Sequence, residues 1–96
     1  MTALLAGWAA SALPTQRDES LLGYDFRQER LAPGNDGEHD PLSARALALR
    51  DGATAALLVS LDHCVVSVEL ARRLRAVAAQ AAGMQPGEVI VACTHT

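Results

Sequence analysis

Two apolar runs on either side of a helical pattern constrain this chain more than any other feature of its sequence. The runs are TAALLVSL at 54–61 and EVIVACT at 88–94, and both are rich in residues that favour strands. Between them, Ser67 is a candidate helix N-cap and Gly83 follows the last helical residue. The order predicts strand, helix 67–82 and strand, a βαβ unit with parallel strands and a right-handed crossover.

A second strand pair is predicted just before this unit. Residues 43–50 read SARALALR and alternate small with larger side chains, and Asp51 and Gly52 separate them from the next run. An Asp-Gly pair between two strands is a strong hairpin signal. We therefore expect an α/β fold whose mixed sheet combines an antiparallel hairpin (about 43–61) with the βαβ unit (about 54–94). The run at 54–61 is typical of a strand buried on both faces.

The predicted helix carries one apolar stripe. Leu70, Leu74, Val77 and Ala81 recur at helical spacing and are flanked by Ala71 and Ala78, and most of the charged side chains fall outside this set. We expect the stripe to pack on the sheet and the other face to be solvated.

The N-terminal part of the chain is less regular. Residues 3–10 (ALLAGWAA) are a candidate first strand. Residues 14–41 hold three of the four prolines and many charges, with no clear period, which indicates a long loop. Loops of this length in a compact domain are usually functional or disordered.

Composition limits both the size and the function of the chain. Its 96 residues suffice for one small domain, and with three aromatic residues the core must come from Leu, Val and Ala. A net charge of -3 argues against a nucleic-acid partner. Cys64 and Cys93 form neither a zinc-binding motif nor a disulfide framework, and we interpret both as small buried residues.

Chemistry-bearing side chains follow both strands of the βαβ unit. Asp62 comes directly after the first strand, and the last strand runs into Cys93, Thr94 and His95. Parallel strands place their carboxyl ends at one edge, where open α/β sheets bind ligands. We expect Asp62 and His95 within about 5–10 Å of each other. Such a pair suits a metal site or acid–base chemistry, and loop capping by both residues is the alternative.

Several stretches, taken in order, resemble the N-terminal region of the neutral/alkaline non-lysosomal ceramidase family. They are LLGYDF, GEHDPLSARALALRDG, AALLVSLDHCVVSVEL and VIVACTHT, and they cover nearly the whole chain, most clearly 37–96. The resemblance implies that His95, the histidine of the THT run, is a ligand of the catalytic zinc. It also implies that another histidine, a glutamate and a tyrosine lie downstream. The chain would then be an N-terminal fragment of a catalytic domain, with an incomplete zinc site.

The activity that the resemblance implies is hydrolysis of the N-acyl amide of a sphingolipid to sphingosine and a fatty acid. The implied partners are a ceramide-like lipid or other amide substrate, the missing downstream part of the catalytic domain and, for the parent protein, a membrane surface. This chain alone is expected to be inactive, because catalytic zinc uses about three protein ligands. Asp62 is a candidate for orienting a ligand, and His39 and Arg45 are expected near the same edge.

Two departures leave the substrate open. Residues 12–15 (ALPT) stand where the family has an Asp-Ile-Thr-Pro-like run, and His63 stands where an apolar residue is expected. The opening stretch also lacks the positively charged start of a signal peptide, so the compartment of the parent, secreted or periplasmic, stays open.

Two other functions compete with the zinc hydrolase. One is a small non-catalytic α/β module or remnant that binds a partner through its exposed sheet. An isolated sheet with open edges and an uncovered apolar face predicts self-association, so a soluble monomer would favour the module and aggregation would favour the fragment. The other is an enzyme with Cys93 as nucleophile and His95 as base, for which no oxyanion donor is evident.

Overall fold

The computed structural model describes residues 3–14 and 37–96, and these form a four-stranded mixed sheet with one α-helix. The elements in chain order are β1 (Leu4–Ala12), β2 (Ser43–Asp51), β3 (Thr54–Leu61), α1 (Val68–Ala82) and β4 (Val89–Cys93). In the sheet the strands lie in the order β1-β2-β3-β4. The predicted α/β class, with its antiparallel hairpin and its strand–helix–strand unit, is confirmed.

The chain divides into two compact units. One comprises Met1–Ser11 and Ser43–Thr96, and the other comprises Ala12–Leu42. The long loop predicted at 14–41 falls in the second unit, and its residues 15–36 lie outside the described part of the chain.

Strand β1 lies at one edge of the sheet. Its first residues lie beside the end of β2 and its last residues beside the start of β2, so the two strands run antiparallel. All nine of its residues are exposed, and Trp8 retains 80% of its accessible surface.

The hairpin of β2 and β3 is closed by a two-residue turn. Asp51 pairs with Thr54, which leaves Gly52 and Ala53 as the central residues. Gly52 has a φ of 61°, and Ala53 does not share this positive φ. A glycine at the first central position alone is the pattern of a type II′ turn. Gly52 therefore determines the type of the turn. It occupies the first central position, whereas the glycine of an Asp-Gly turn occupies the second.

Helix α1 begins and ends where the sequence predicts. The Ser67 hydroxyl accepts a hydrogen bond from the Leu70 backbone N–H at 3.0 Å, which satisfies one of the free donors of the first turn. Gly83 ends the helix in the left-handed conformation with a φ of 69°. Its conformation is one that glycine adopts without steric penalty.

The contact face of α1 differs from the predicted stripe. Ala79 is 1% exposed and packs with Leu57 and Val89, whereas Val77 is 67% exposed. Leu70 and Ala81 are also exposed. Because the helix is rich in alanine, small side chains next to the stripe let it approach the sheet closely. The contact face therefore runs along Ala78 and Ala79, and Leu74 of the predicted stripe is half-buried.

Strand β3 is buried on one face only, contrary to the expectation from its apolar run. Leu57 and Leu61 are 7% and 9% exposed, whereas Leu58 between them is 40% exposed. Successive side chains of a strand point to opposite faces, and α1 covers only one of these. We call the uncovered side the open face.

An apolar row crosses the open face. Leu47 pairs with Leu58, and Leu58 pairs with Ile90, so the three side chains lie next to one another on adjacent strands. They are 39%, 40% and 57% exposed. We refer to Leu47, Leu58 and Ile90 below as the apolar row.

Candidate functional site at the ends of β3 and β4

The carboxyl ends of β3 and β4 lie side by side. The strands pair in parallel from Leu57 with Val89 to Leu61 with Cys93. Beyond the last pair, the Thr94 N–H donates to the Leu61 carbonyl at 2.9 Å, and the His95 N–H donates to the His63 carbonyl at 3.0 Å. The segment after β4 is therefore bonded to the loop after β3, and the chemistry-bearing residues of both meet at one edge as predicted.

Asp62 is the most highly connected side chain of this edge. Its Oδ2 accepts hydrogen bonds from the Ser43 backbone N–H at 3.0 Å and from the Ser43 hydroxyl at 3.1 Å. Its Oδ1 accepts from the Thr94 hydroxyl at 3.1 Å and lies 3.7 Å from the Arg45 guanidinium. The side chain is 16% exposed. One carboxylate thus joins the start of β2 to the segment that follows β4.

These contacts stabilise the charged form of Asp62. The Ser43 backbone N–H lowers the pKa of the carboxyl most, and the Thr94 and Ser43 hydroxyls and the Arg45 charge lower it further. Desolvation opposes them, and the net result is a pKa below the ordinary value of 3.8. Asp62 is an anion at neutral pH, and its hydrogen bonds are therefore of the strong, charge-assisted kind.

Asp62 contacts Thr94, the residue before His95, rather than His95 itself. Among the described residues, the hydrogen-bond donors to the carboxylate are Ser43 and Thr94. Thr94 directly precedes His95, so the carboxylate holds the side chain next to the imidazole, while backbone bonds to Leu61 and His63 hold the main chain.

His95 has an unusual backbone conformation. Its φ is 70°, in the left-handed region that side chains other than glycine seldom adopt, although histidine is enriched there. Such conformations persist where surrounding bonds impose them, and they concentrate at functional sites. Here the backbone bonds of Thr94 and His95 to the β3 loop supply that constraint.

The imidazole of His95 faces a thiol. The Cys64 Sγ lies 3.7 Å from Nε2 and 3.9 Å from Nδ1 of His95. Cys64 and Cys93 are both free and only half-buried, so the interpretation of both as buried core residues is wrong.

The other candidate residues are placed differently. Arg45 lies at the predicted edge, beside Asp62. His63 Nδ1 donates to the Val65 carbonyl at 2.9 Å, which commits that nitrogen to its own loop. His39 belongs to the second unit, where its fully exposed ring lies 4.0 Å from Asp40. A place for His39 at the edge stays a prediction.

The donors at this edge are of the types that zinc prefers. Within 3–14 and 37–96, no group of three or more His, Cys, Asp and Glu side chains is arranged to hold a metal ion. The pair of His95 and Cys64 nevertheless offers an exposed imidazole next to a free thiol, both ordinary zinc ligands. Asp62 is occupied by its own hydrogen bonds and suits a supporting position.

One of the contacts that build the site was within reach of sequence reasoning and two were not. Counting back from the turn at Gly52 places Ser43 opposite Asp62, because a two-residue hairpin fixes its register. Thr94 adjoins the predicted ligand His95, but its contact with Asp62 depends on the register of β3 against β4, which no turn sets. The proximity of Cys64 and His95, 31 residues apart, carries no spacing signal.

No family model, curated protein or solved structure matches this chain. The ceramidase family therefore remains a resemblance carried by the four quoted stretches. In the described part of the chain, no helix combines the length and the apolar character that crossing a membrane requires.

Proposed function

We propose that this chain is part of an amidohydrolase of neutral ceramidase type and supplies one zinc ligand at the end of a strand. The observation that carries the proposal is the bond between Thr94 and the Asp62 carboxylate, directly before His95. An anionic, half-buried side chain that holds the Thr94 hydroxyl, directly before a strained, exposed histidine, is what a site needs to keep a ligand in place. The resemblance supplies the reaction class.

The residues of this chain have separable roles in the proposed site. His95 binds the metal through a neutral ring nitrogen. Asp62 and Thr94 orient it, and Ser43 and Arg45 keep Asp62 charged and in position. When bound, zinc lowers the pKa of its water ligand and polarises the amide carbonyl of the substrate.

The proposed substrate is a lipid with an N-acyl amide, such as N-acylsphingosine, or another amide. The products are the free amine and the fatty acid. A downstream part of the catalytic domain supplies the remaining ligands in this proposal, and the parent protein works on substrates presented at a membrane surface.

The purified 96-residue chain is expected to release no sphingosine from N-acylsphingosine in the presence of zinc. One proposed catalytic ligand is too few for zinc catalysis, which uses about three. Chromatographic detection of sphingosine checks this, with the same mixture lacking protein as the blank. Turnover by the chain alone would contradict the proposal that the site needs further ligands.

The test of the function itself begins with the coding sequence beyond the Thr96 codon. A continuation with a second histidine, and later a histidine, a glutamate and a tyrosine, is expected. The encoded protein should then bind zinc and hydrolyse N-acylsphingosine, and His95→Ala should abolish both. A stop codon directly after Thr96 in the intact gene, or an encoded protein that retains zinc and activity in His95→Ala, contradicts the proposal.

The apolar row favours a second candidate, a non-catalytic binding module. Three adjacent, partly exposed aliphatic side chains on an uncovered sheet face are more than single exposed residues and suit a protein contact. A monomeric chain that unfolds in one two-state transition favours the module. A chain that folds only together with downstream sequence favours the hydrolase.

A further inference from the structure

We propose that the outer edge of β1 pairs with β1 of a second copy of this chain. The two strands run antiparallel about a two-fold axis, and the two four-stranded sheets become one continuous sheet. This pairing does not depend on the proposed role of His95.

The edge strand β1 lacks features that normally prevent the addition of another strand. Its nine residues carry no charge and no proline, and all of them are exposed. In the described part of the chain, β2 is the strand that lies beside it. Edge strands are usually protected by charged side chains, proline, bulges or short length. The opposite edge strand, β4, has only five residues and offers fewer backbone groups for pairing.

Backbone hydrogen bonds define which groups of β1 point outward. The Leu13 N–H donates to the Leu42 carbonyl at 2.8 Å, where β1 ends and β2 begins. In an antiparallel pair, the N–H and C=O groups of one residue point to the same side, and successive residues alternate between sides. Every second residue counted back from Leu13 therefore bonds toward β2. The residues between them direct their N–H and C=O groups to the free edge, and they include Ala6, Trp8 and Ala10.

The register of β1 against β2 also places Trp8 beside the apolar row. Leu4 and Asp51 lie equally far along their strands from the Leu13 bond, and both line one cavity, so the register is continuous. It sets Trp8 opposite Leu47 on the open face, where Trp8 is 80% exposed. Two copies joined at β1 therefore share one apolar row that crosses both sheets.

A second copy of the chain suits this edge because β1 is complementary to itself. Trp8 is the middle residue of Leu4–Ala12, so the register that pairs the whole strand sets Trp8 opposite Trp8 of the second copy. The two residues form a hydrogen-bonded pair, since both direct their backbone groups outward. Ala6 then pairs with Ala10 of the second copy. No like charges meet across the axis, and the two indole rings form a cross-strand aromatic pair.

The first experiment is amide hydrogen exchange on the full 96-residue chain, measured by NMR at several protein concentrations. The outward amides of Ala6, Trp8 and Ala10 should exchange quickly in dilute protein. They should gain about tenfold protection once roughly nine-tenths of the chains are paired, because exchange then proceeds through the remaining monomer. The amides of Gly7 and Ala9, which bond toward β2, should be protected already at the lowest concentration. Emission from Trp8, the single tryptophan, should shift to shorter wavelength over the same range.

A proline at the free edge provides the matched substitution. Ala6→Pro removes an outward N–H that β2 does not use. It should weaken dimerisation about tenfold in sedimentation equilibrium, since each copy loses one donor at the contact. Ala6→Val keeps the N–H at the same position and should leave dimerisation unchanged. The exchange measurement on the unaltered chain decides the matter if Ala6→Pro does not fold.

A chain that stays monomeric at all concentrations overturns the inference. A dimer in which the amides of Ala6, Trp8 and Ala10 stay unprotected also overturns it and places the contact on the open face. Equal dimerisation of Ala6→Pro and the unaltered chain is the third contradicting result. None of these results changes the proposed role of His95, which is tested separately by zinc binding and activity.

Discussion

At the scale of single residues, Asp62 explains how the site is assembled. A strand-end aspartate commonly caps a helix, but here Ser67 performs that task and Asp62 is free to bond sideways. Its carboxylate receives Ser43 from β2 and Thr94 from the segment after β4. Removing it leaves the Thr94 hydroxyl and the Ser43 N–H without their acceptor, and an unsatisfied donor is costly where water cannot replace the partner.

Asp62→Asn is expected to lower the urea midpoint of unfolding, and the loss should depend on pH. The folded pKa of Asp62 is below 3.8, so the contribution of the carboxylate is fully present above that unfolded value and disappears as pH falls through the folded pKa. The difference between the unaltered chain and the variant should therefore be larger at about pH 6 than at about pH 3.

Asp40→Asn serves as the control for this comparison, since Asp40 is 89% exposed and lies 4.0 Å from its nearest basic partner. It should change the midpoint little at either pH. An equal effect of Asp62→Asn at both values of pH contradicts the assignment of the low pKa to the native carboxylate.

At the scale of elements, β3 shows how far an apolar run can be interpreted. The run correctly indicates a strand, but both a doubly buried strand and a strand with one uncovered apolar face have the same composition. Only the position of α1 over Leu57 distinguishes the two faces. The same applies to α1, whose period predicts a helix but whose contact face is set by the close packing of Ala79.

Neighbouring leucines of β3 provide a direct test of the two faces. Leu57→Ala should destabilise the fold by about 2–5 kcal/mol, because it opens a cavity between β3, α1 and β4. Leu58→Ala, at a position that is 40% exposed, should cost roughly half of that or less. Urea unfolding of both variants measures the difference, and equal losses would indicate that the open face is covered in solution.

Gly83 matters at the C-terminal end of α1 because of its backbone conformation and not because of its packing. Gly83→Ala should destabilise the protein by about 1 kcal/mol, since a Cβ is unfavourable at its φ of 69°. The added Cβ would meet no atom within 4 Å, so no steric contact contributes. Gly87→Ala is the matched control, with equally free space and no positive φ, and should be neutral or slightly stabilising. Thermal unfolding of the two variants decides between a conformational and a packing origin.

At the scale of the whole molecule, the described residues bury few large side chains. The buried apolar residues are Leu57, Leu61, Ala79 and Val89, while the apolar row and Trp8 remain exposed. A sheet covered on one face only leaves apolar surface in water, which monomeric proteins generally avoid in large contiguous areas.

The chain is accordingly expected to associate with itself as its concentration rises. Sedimentation velocity over a range of concentrations should show an increase in the mean sedimentation coefficient. The double substitution Leu58→Thr and Ile90→Thr should reduce it, because threonine retains strand propensity while adding a hydroxyl to the open face. Val77→Thr, on the exposed side of α1, is the control that should leave association unchanged. Association that persists fully in the double variant would place the contact elsewhere, for example along the exposed edge of β1.

The local sequence determined the helix and the strands of this protein. The tertiary structure decided which face of each is buried and which residues meet at the candidate site. The β-forming runs, the Ser67 cap, and the glycines at 52 and 83 act within a few residues, so strands, turn and helix limits follow from the chain alone. The hairpin register also follows, because a two-residue turn leaves no freedom, and it pairs Ser43 with Asp62. The register of β3 against β4 is set by no turn, since a 15-residue helix lies within their connection. The meeting of Asp62 with Thr94, and of Cys64 with His95, therefore depended on how α1 packs across the sheet.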